Sequence, residues 1–216
     1  MKSYQQKFID IALEKEVLKF GSFTLKSGRQ SPYFFNAGLF CTGESMQSLA
    51  ECYAQSIVES GIVFDVIFGP AYKGIPIVAA IAMELYTKHG MNVGYAYDRK
   101  EKKDHGEGGV LVGATVKHKK VLIIDDVISA GVSIEGSLRL LNAENAQVVG
   151  VSLSLDREEK GMDSNLSAIQ NIEFRYGFPI FSIVKVSDII EYFKNKNEYS
   201  EQLGNFIAYQ KEYGVN

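Results

Sequence analysis

Two adjacent carboxylates, Asp125 and Asp126, follow four apolar residues in the stretch KKVLIIDDVISAGVS, residues 119–133. An apolar run of that length suits one buried strand, and in open parallel sheets ligands bind in the crevice beyond the carboxyl ends of the strands. The residues after the acids, VISAGVS, are small, hydroxyl-bearing and glycine-containing, and they lead into a helix expected to begin near Ser133. The start of a helix offers unpaired N–H groups and a partial positive charge, which together favour an anion. The order of residues therefore describes a sugar phosphate. The phosphate would lie on residues 127–133, and the carboxylates would accept hydrogen bonds from vicinal hydroxyls or hold Mg²⁺ through water. Capping of the helix alone would need a single oxygen.

Two further segments carry anion chemistry. In FGPAYKG the turn Pro70, Ala71, Tyr72, Lys73, Gly74 stands at the end of another short apolar strand, where its backbone N–H groups and Lys73 suit a diphosphate. Residues 98–109, DRKEKKDHGEGG, set Arg99, Lys100, Lys102, Lys103 and His105 beside Gly106, Gly108 and Gly109. A basic flap with glycine hinges can close over a highly charged substrate and neutralise a leaving group. There is no G-x-x-x-x-G-K-[ST], and no G-x-G-x-x-G follows the first strand, which weakens nucleoside triphosphatase and dinucleotide readings. No serine or cysteine nucleophile constellation is visible.

The elements that must hold these groups alternate. Phe8, Ile9, Ala12 and Leu13 share one face of an opening amphipathic helix, and Gly21 is expected to end that region. Residues 23–40 hold two apolar runs about a Ser27–Gly28 turn, which reads as a β-hairpin. Thr42 can cap a helix over about 44–60, with Leu49, Cys52, Tyr53 and Ile57 buried and Gly61 as its stop. From there FDVIFG, VGYAYD, KVLIIDD, QVVGVSLSLD and PIFSIVKV read as strands, with helices over about 75–88 and from residue 132. Near-continuous apolar strands alternating with helices predict an α/β fold, a mostly parallel central sheet with helices on both faces. No repeat, low-complexity segment or linker divides it, so residues 1–216 read as one domain in which residues 1–62 form a small hood.

Composition limits the partners. The chain has 216 residues, 46% of them hydrophobic, and a formal net charge of -3 from Lys+Arg 23 against Asp+Glu 26. No overall attraction to nucleic acid or to an anionic membrane is expected. The first twenty residues lack the uninterrupted apolar core of a signal peptide, and no stretch approaches a membrane span, so the chain reads as cytoplasmic. Cys41 and Cys52 are too few for a disulfide framework and lack the histidine company of a zinc site.

Five segments together resemble the orotate phosphoribosyltransferases, within the type I phosphoribosyltransferase fold: LKFGSFTLKSGRQSPYFFNAGLF, FGPAYKGIP, RKEKKDHGEGG, VLIIDDVISAG and SLDREEKG. They span nearly the whole chain in the order and spacing of that family. The resemblance implies transfer of ribose 5-phosphate from phosphoribosyl pyrophosphate (PRPP) to N1 of orotate, with Mg²⁺ bound mainly to the diphosphate and no committed protein ligand. It implies catalytic roles for Lys103, His105, Asp125 and Asp126. It places PRPP on Lys26, Tyr72, Lys73, Arg99, Lys100, Lys103, His105, Asp125, Asp126, Val127, Ile128, Ser129, Ala130, Gly131, Val132 and Ser133, and orotate on Phe34, Phe35, Ser129 and Arg157. It further implies a homodimer in which Arg99, Lys103 and His105 of the 98–109 flap reach the neighbouring subunit's site, while Lys100 serves its own. The chain departs from the family at Val132, where a threonine is common, so one hydroxyl bond to the 5-phosphate, worth about 0.5–1.5 kcal/mol, is missing unless Ser133 replaces it. A purine or uracil phosphoribosyltransferase would share the acid pair but gives no reason for Lys26, Phe34, Phe35 and Arg157 together. A nucleic-acid-binding regulator on the same fold is disfavoured by the acidic net charge.

Overall fold

The computed structural model describes residues 1–25, 27–103, 109–128, 132–162 and 164–215, with the side chains of 100–103, 109 and 132 also outside the description. Its centre is a six-stranded sheet in the order β5-β4-β3-β6-β7-β8. The strands are β3 (Val66–Gly69), β4 (Gly94–Lys103), β5 (Gly109–Gly113), β6 (Lys120–Asp125), β7 (Gln147–Asp156) and β8 (Ile180–Lys185). All neighbours run parallel except β4 and β5. From β3 the chain crosses to β4 on one side, then returns to lay β6 on the other. The order therefore reverses between β3 and β6, and at that point the carboxyl ends of adjacent strands diverge to leave a crevice.

Strand alternation explains the two cores. Ile67, Leu122 and Ile124 face one layer, with Leu49, Tyr53 and Ile57 of α2 (Gly43–Ser60) and Ile77, Val78, Ile81 and Leu85 of α3 (Gly74–His89). Val66, Phe68, Val121, Ile123, Val151 and Leu153 face the other, with Ile134, Leu138 and Leu141 of α4 (Val132–Ala143) and Ile172 of α5 (Ala168–Tyr176). The α/β expectation is met, and the four apolar residues before the acid pair are fully buried because β6 is covered on both faces. The caps of α2 agree as well. Thr42 Oγ1 accepts from the Ser45 N–H, and Gly61 closes the helix in the left-handed conformation.

The N-terminal hairpin is a separate two-stranded sheet, β1 (Leu18–Thr24) with β2 (Gln30–Phe35), preceded by α1 (Ser3–Glu14). Gly21 does not end the preceding region. It lies inside β1, where the register shifts between Phe20 and Phe23, an irregularity that a strand tolerates at a residue without a side chain. The expected loop after VGYAYD is also different. β4 continues to Lys103 and pairs it with Gly109 of β5, so the base of that segment is an antiparallel ribbon. The middle of the segment, 104–108, lies outside the described residues.

The hairpin packs against the other end of the chain. Tyr33 of β2 stacks on Phe206 of α7 (Ser200–Tyr213) at 4.6 Å between ring centroids, and Phe20 meets Phe193 of α6 (Val186–Lys194) edge-on at 5.6 Å. Phe206→Ala removes a fully buried ring shared by Tyr33, Phe20 and Phe193. It should cost about 3–5 kcal/mol in urea denaturation. A loss below about 1 kcal/mol would show that α7 lies outside the cooperative unit.

Candidate active site

The crevice between β3 and β6 holds the acid pair. Asp125 Oδ1 accepts the Asp126 N–H at 2.9 Å, and its Oδ2 accepts the Ser133 hydroxyl at 2.9 Å. Asp126 Oδ1 accepts the Val127 N–H at 2.9 Å, and its Oδ2 meets Lys73 Nζ at 2.8 Å. All four oxygens thus have a donor. The side chains of Val127 and Ile128 pack into the cores on opposite faces of the sheet. Burial, and next the charge of Asp126, push the Asp125 carboxyl up to about 6, against the opposing bonds from the Asp126 N–H and Ser133.

The backbone beneath the pair is fixed from two sides. The Asp126 carbonyl accepts the N–H groups of Ser154 and Leu155 on β7, at 3.0 and 3.2 Å. The Asp125 carbonyl accepts the Tyr53 hydroxyl at 2.8 Å, and that hydroxyl lies 2.7 Å from Ser154 Oγ. Tyr53 is fully buried on α2, so this helix reaches the site through the core.

The opposing loop owes its shape to a backbone contact. A Cβ on Gly69 would lie 2.4 Å from the Gly74 carbonyl oxygen, so the ends of the loop close only as glycines. Gly74 N–H donates to the Pro70 carbonyl at 3.0 Å, the Ala71 N–H donates to Asp98 Oδ1 at 2.6 Å, and the Ala71–Tyr72 peptide is cis. Asp98 thereby ties the loop to β4. Tyr72 is exposed beside Lys73, which crosses the crevice to Asp126.

One strand further on, Arg157 follows β7. Its Nε donates to Glu159 Oε1 at 2.8 Å and its Nη2 to Ser31 Oγ at 3.2 Å, while its guanidinium lies 4.3 Å from the Tyr33 ring centroid. The N-terminal hairpin is thus docked on the same strand-end edge as the acid pair. Phe34, next along β2, is 43% exposed and lies against Phe23 at 5.6 Å, whereas Phe35 turns inward against Phe8 at 6.2 Å. Successive strand residues point to opposite faces, so the two rings do not form one wall.

Residues 43–180 match the family model for the phosphoribosyl transferase domain. The chain is 53% identical over 215 residues to an orotate phosphoribosyltransferase of Nitrosococcus oceani, covering 100% of this chain and 97% of the relative. It is 54% identical to that of Neisseria meningitidis serogroup C, with 100% of both chains covered. The chain belongs to the orotate phosphoribosyltransferase family. A crystal structure of the Francisella tularensis orotate phosphoribosyltransferase superposes with a TM-score of 0.86 at 47% identity, over 96% of this chain and 98% of that one.

For a member of this family, the structure joins Lys73 to Asp126 and Ser133 to Asp125, residues that the sequence reading had placed on one ligand. Arg99 lies half-buried on β4 and, among the described residues, is joined neither to the acid pair nor to Lys73. Lys26, His105, Ser129, Ala130 and Gly131 fall outside the described residues, as do the side chains of Lys100, Lys103 and Val132. Tyr53, Asp98 and Glu159 escaped the sequence reading as supports of the site. Tyr53 carried a signal only as part of a buried helix face, and no local pattern marks the other two. No group of three or more His, Cys, Asp or Glu among the described residues could hold a metal ion, and none of their helices is long and apolar enough to cross a membrane.

The raised Asp125 carboxyl has a signed consequence. The folded chain binds this proton more tightly than the unfolded chain, so the associated stability is complete below about pH 4, declines as pH rises toward 6, and is absent above it. At pH 8, Asp125→Asn should therefore stabilise the ligand-free protein by about 1–3 kcal/mol in urea denaturation, and the gain should vanish at pH 4. An equal effect at both pH values would contradict the burial of charge.

Proposed function

We propose that the chain catalyses transfer of ribose 5-phosphate from PRPP to N1 of orotate, giving orotidine 5-phosphate and pyrophosphate in pyrimidine biosynthesis. The observation that carries this reading is the Lys73–Asp126 contact across the β3–β6 switch point. It brings the diphosphate loop and the sugar-binding acids together, although they are far apart in the chain. Asp125 and Asp126 accept the ribose hydroxyls, the backbone from Val127 to Ser133 cradles the 5-phosphate at the start of α4, and Lys73 with Tyr72 takes the diphosphate. The substrate enters as its Mg²⁺ complex. The four acid oxygens already have protein donors, which fits a metal carried on the diphosphate rather than one resident in the protein.

Binding is an exchange of partners. Ligand hydroxyls replace Ser133 and Lys73 on the carboxylates, and the two released donors turn to the phosphate and the diphosphate. As the bond from the anomeric carbon to the diphosphate lengthens, positive charge develops on the ribose ring and negative charge on the leaving group. The carboxylates face the first and Lys73 the second. The bond to orotate N1 forms as the bond to the diphosphate breaks, and the N1 proton passes to the departing pyrophosphate. Arg157 binds the orotate carboxylate. Nothing here needs a covalent enzyme nucleophile; orientation and charge do the work.

Loss of orotate absorbance with PRPP and Mg²⁺ tests the reaction directly. Turnover of adenine or uracil in place of orotate would reject the substrate assignment. We further propose that residues 98–109 act on the neighbouring subunit of a homodimer. Lys103→Ala and Asp126→Asn homodimers should each be nearly inactive. Mixed under conditions that exchange subunits, they should recover roughly a quarter of wild-type activity, because about half the dimers are mixed and each of these holds one intact site. No recovery despite verified exchange would place the flap over its own site.

A further inference from the structure

Glu159 stands between two guanidinium groups. Its Oε1 takes Nε of Arg157 at 2.8 Å and Nη2 at 2.6 Å, and its Oε2 lies 3.7 Å from Nη1 of Arg29. All three side chains are largely buried, with relative exposures of 12% for Arg157 and 14% for Glu159 and Arg29. Neighbouring rings and carbonyls brace the clamp. The Tyr33 ring lies against the Arg157 guanidinium, and the Tyr33 hydroxyl is 3.4 Å from Glu159 Oε1. Arg29 donates to the carbonyls of Lys160 and Gly161 at 2.8 and 3.2 Å and stacks on Tyr213 at 4.9 Å. Gln210 Nε2 donates to the Arg157 carbonyl at 2.8 Å.

A guanidinium has five N–H donors in a rigid fork. Glu159 holds the Nε–Nη2 side of Arg157 and Ser31 takes Nη2, so Nη1 makes no direct hydrogen bond to the described residues, and the buried Tyr209 hydroxyl is the remaining polar neighbour of the guanidinium. Two cations and one anion leave this cluster with one net positive charge, which suits a single carboxylate. Without Glu159, Arg29 and Arg157 would repel each other and the Arg157 fork would be free to turn.

We propose that Glu159 is the positioning residue for substrate selection: it fixes the Arg157 fork so that its unpaired end meets the carboxylate of the base, and it sets the preference of the site for a base bearing one negative charge. The inference rests on the assignment of Arg157 to orotate. Glu159 itself touches no substrate.

The experiment compares KM for orotate with the competitive inhibition constant of its carboxamide analogue, together with KM for PRPP, in wild type, Glu159→Gln and Arg157→Ala. Glu159→Gln should raise KM for orotate about tenfold and leave KM for PRPP within about twofold. It should also reduce the preference for carboxylate over carboxamide at least fivefold. A merely structural role would weaken both bases and PRPP together and leave that preference unchanged. Should Glu159→Gln fail to fold, Glu159→Asp keeps the charge but withdraws it by one methylene, and it should lower the same preference to an intermediate value. An unchanged preference in the folded variant, or tighter orotate binding, would overturn the role of Glu159. If Arg157→Ala leaves the carboxylate preference intact, the assignment of Arg157 fails instead. If Arg157→Ala abolishes that preference while Glu159→Gln does not alter it, only the positioning inference is lost.

Discussion

Two neighbouring carboxylates at the end of a strand buried on both faces must be supplied with donors, and much of the site follows from meeting that demand. Burial raises the cost of each negative charge, and the proximity of the pair adds to it. The protein answers with its own backbone N–H groups, with Ser133 at the start of α4, and with Lys73 from the opposite wall of the crevice. These contacts set the ligand-free state: the groups suited to phosphate are held on the groups suited to sugar hydroxyls. A ligand presenting both kinds of partner satisfies the donors and the acceptors together, whereas a sugar or a phosphate alone leaves one set unpaired.

The sheet order gives this arrangement its location. Because the direction of winding reverses between β3 and β6, two loops from adjacent strands open away from each other, and one lysine is long enough to span them. The rest of the frame braces the bases of those loops. The glycine contact closes the β3 loop, Asp98 ties it to β4, and Tyr53 and Ser154 hold the backbone under the acids.

The acid pair was legible because it ends one continuous stretch whose pattern changes abruptly from apolar to charged. The parallel sheet was legible for a related reason: strands covered on both faces leave unbroken apolar runs. What escaped was non-local or weakly patterned. β5 is five residues long and follows glycines that blend it into a charged segment, and α5 buries only Ile172 fully, so its periodicity is faint. Only Phe206 and Tyr209 of α7 are fully buried, because the helix covers a hairpin rather than the main sheet. The resemblance put Phe34 and Phe35 on one ligand, but strand geometry sends the rings apart. Glu159 looked like one acid in a charged run, and its relation to Arg157 and Arg29 exists only in the folded chain.

The pairing of the first hairpin with the last helices has a consequence for synthesis of the chain. Tyr33 and Ser31 emerge from the ribosome early, while Phe206, Tyr209 and Gln210, which complete the surroundings of Arg157, emerge late. The acid pair and its parallel strands can assemble on nascent chain, but the corner around Arg157 waits for the final helix. Until then the aromatic faces of β1 and β2 lack their cover, so the most apolar surface of the hairpin is the last to be sealed.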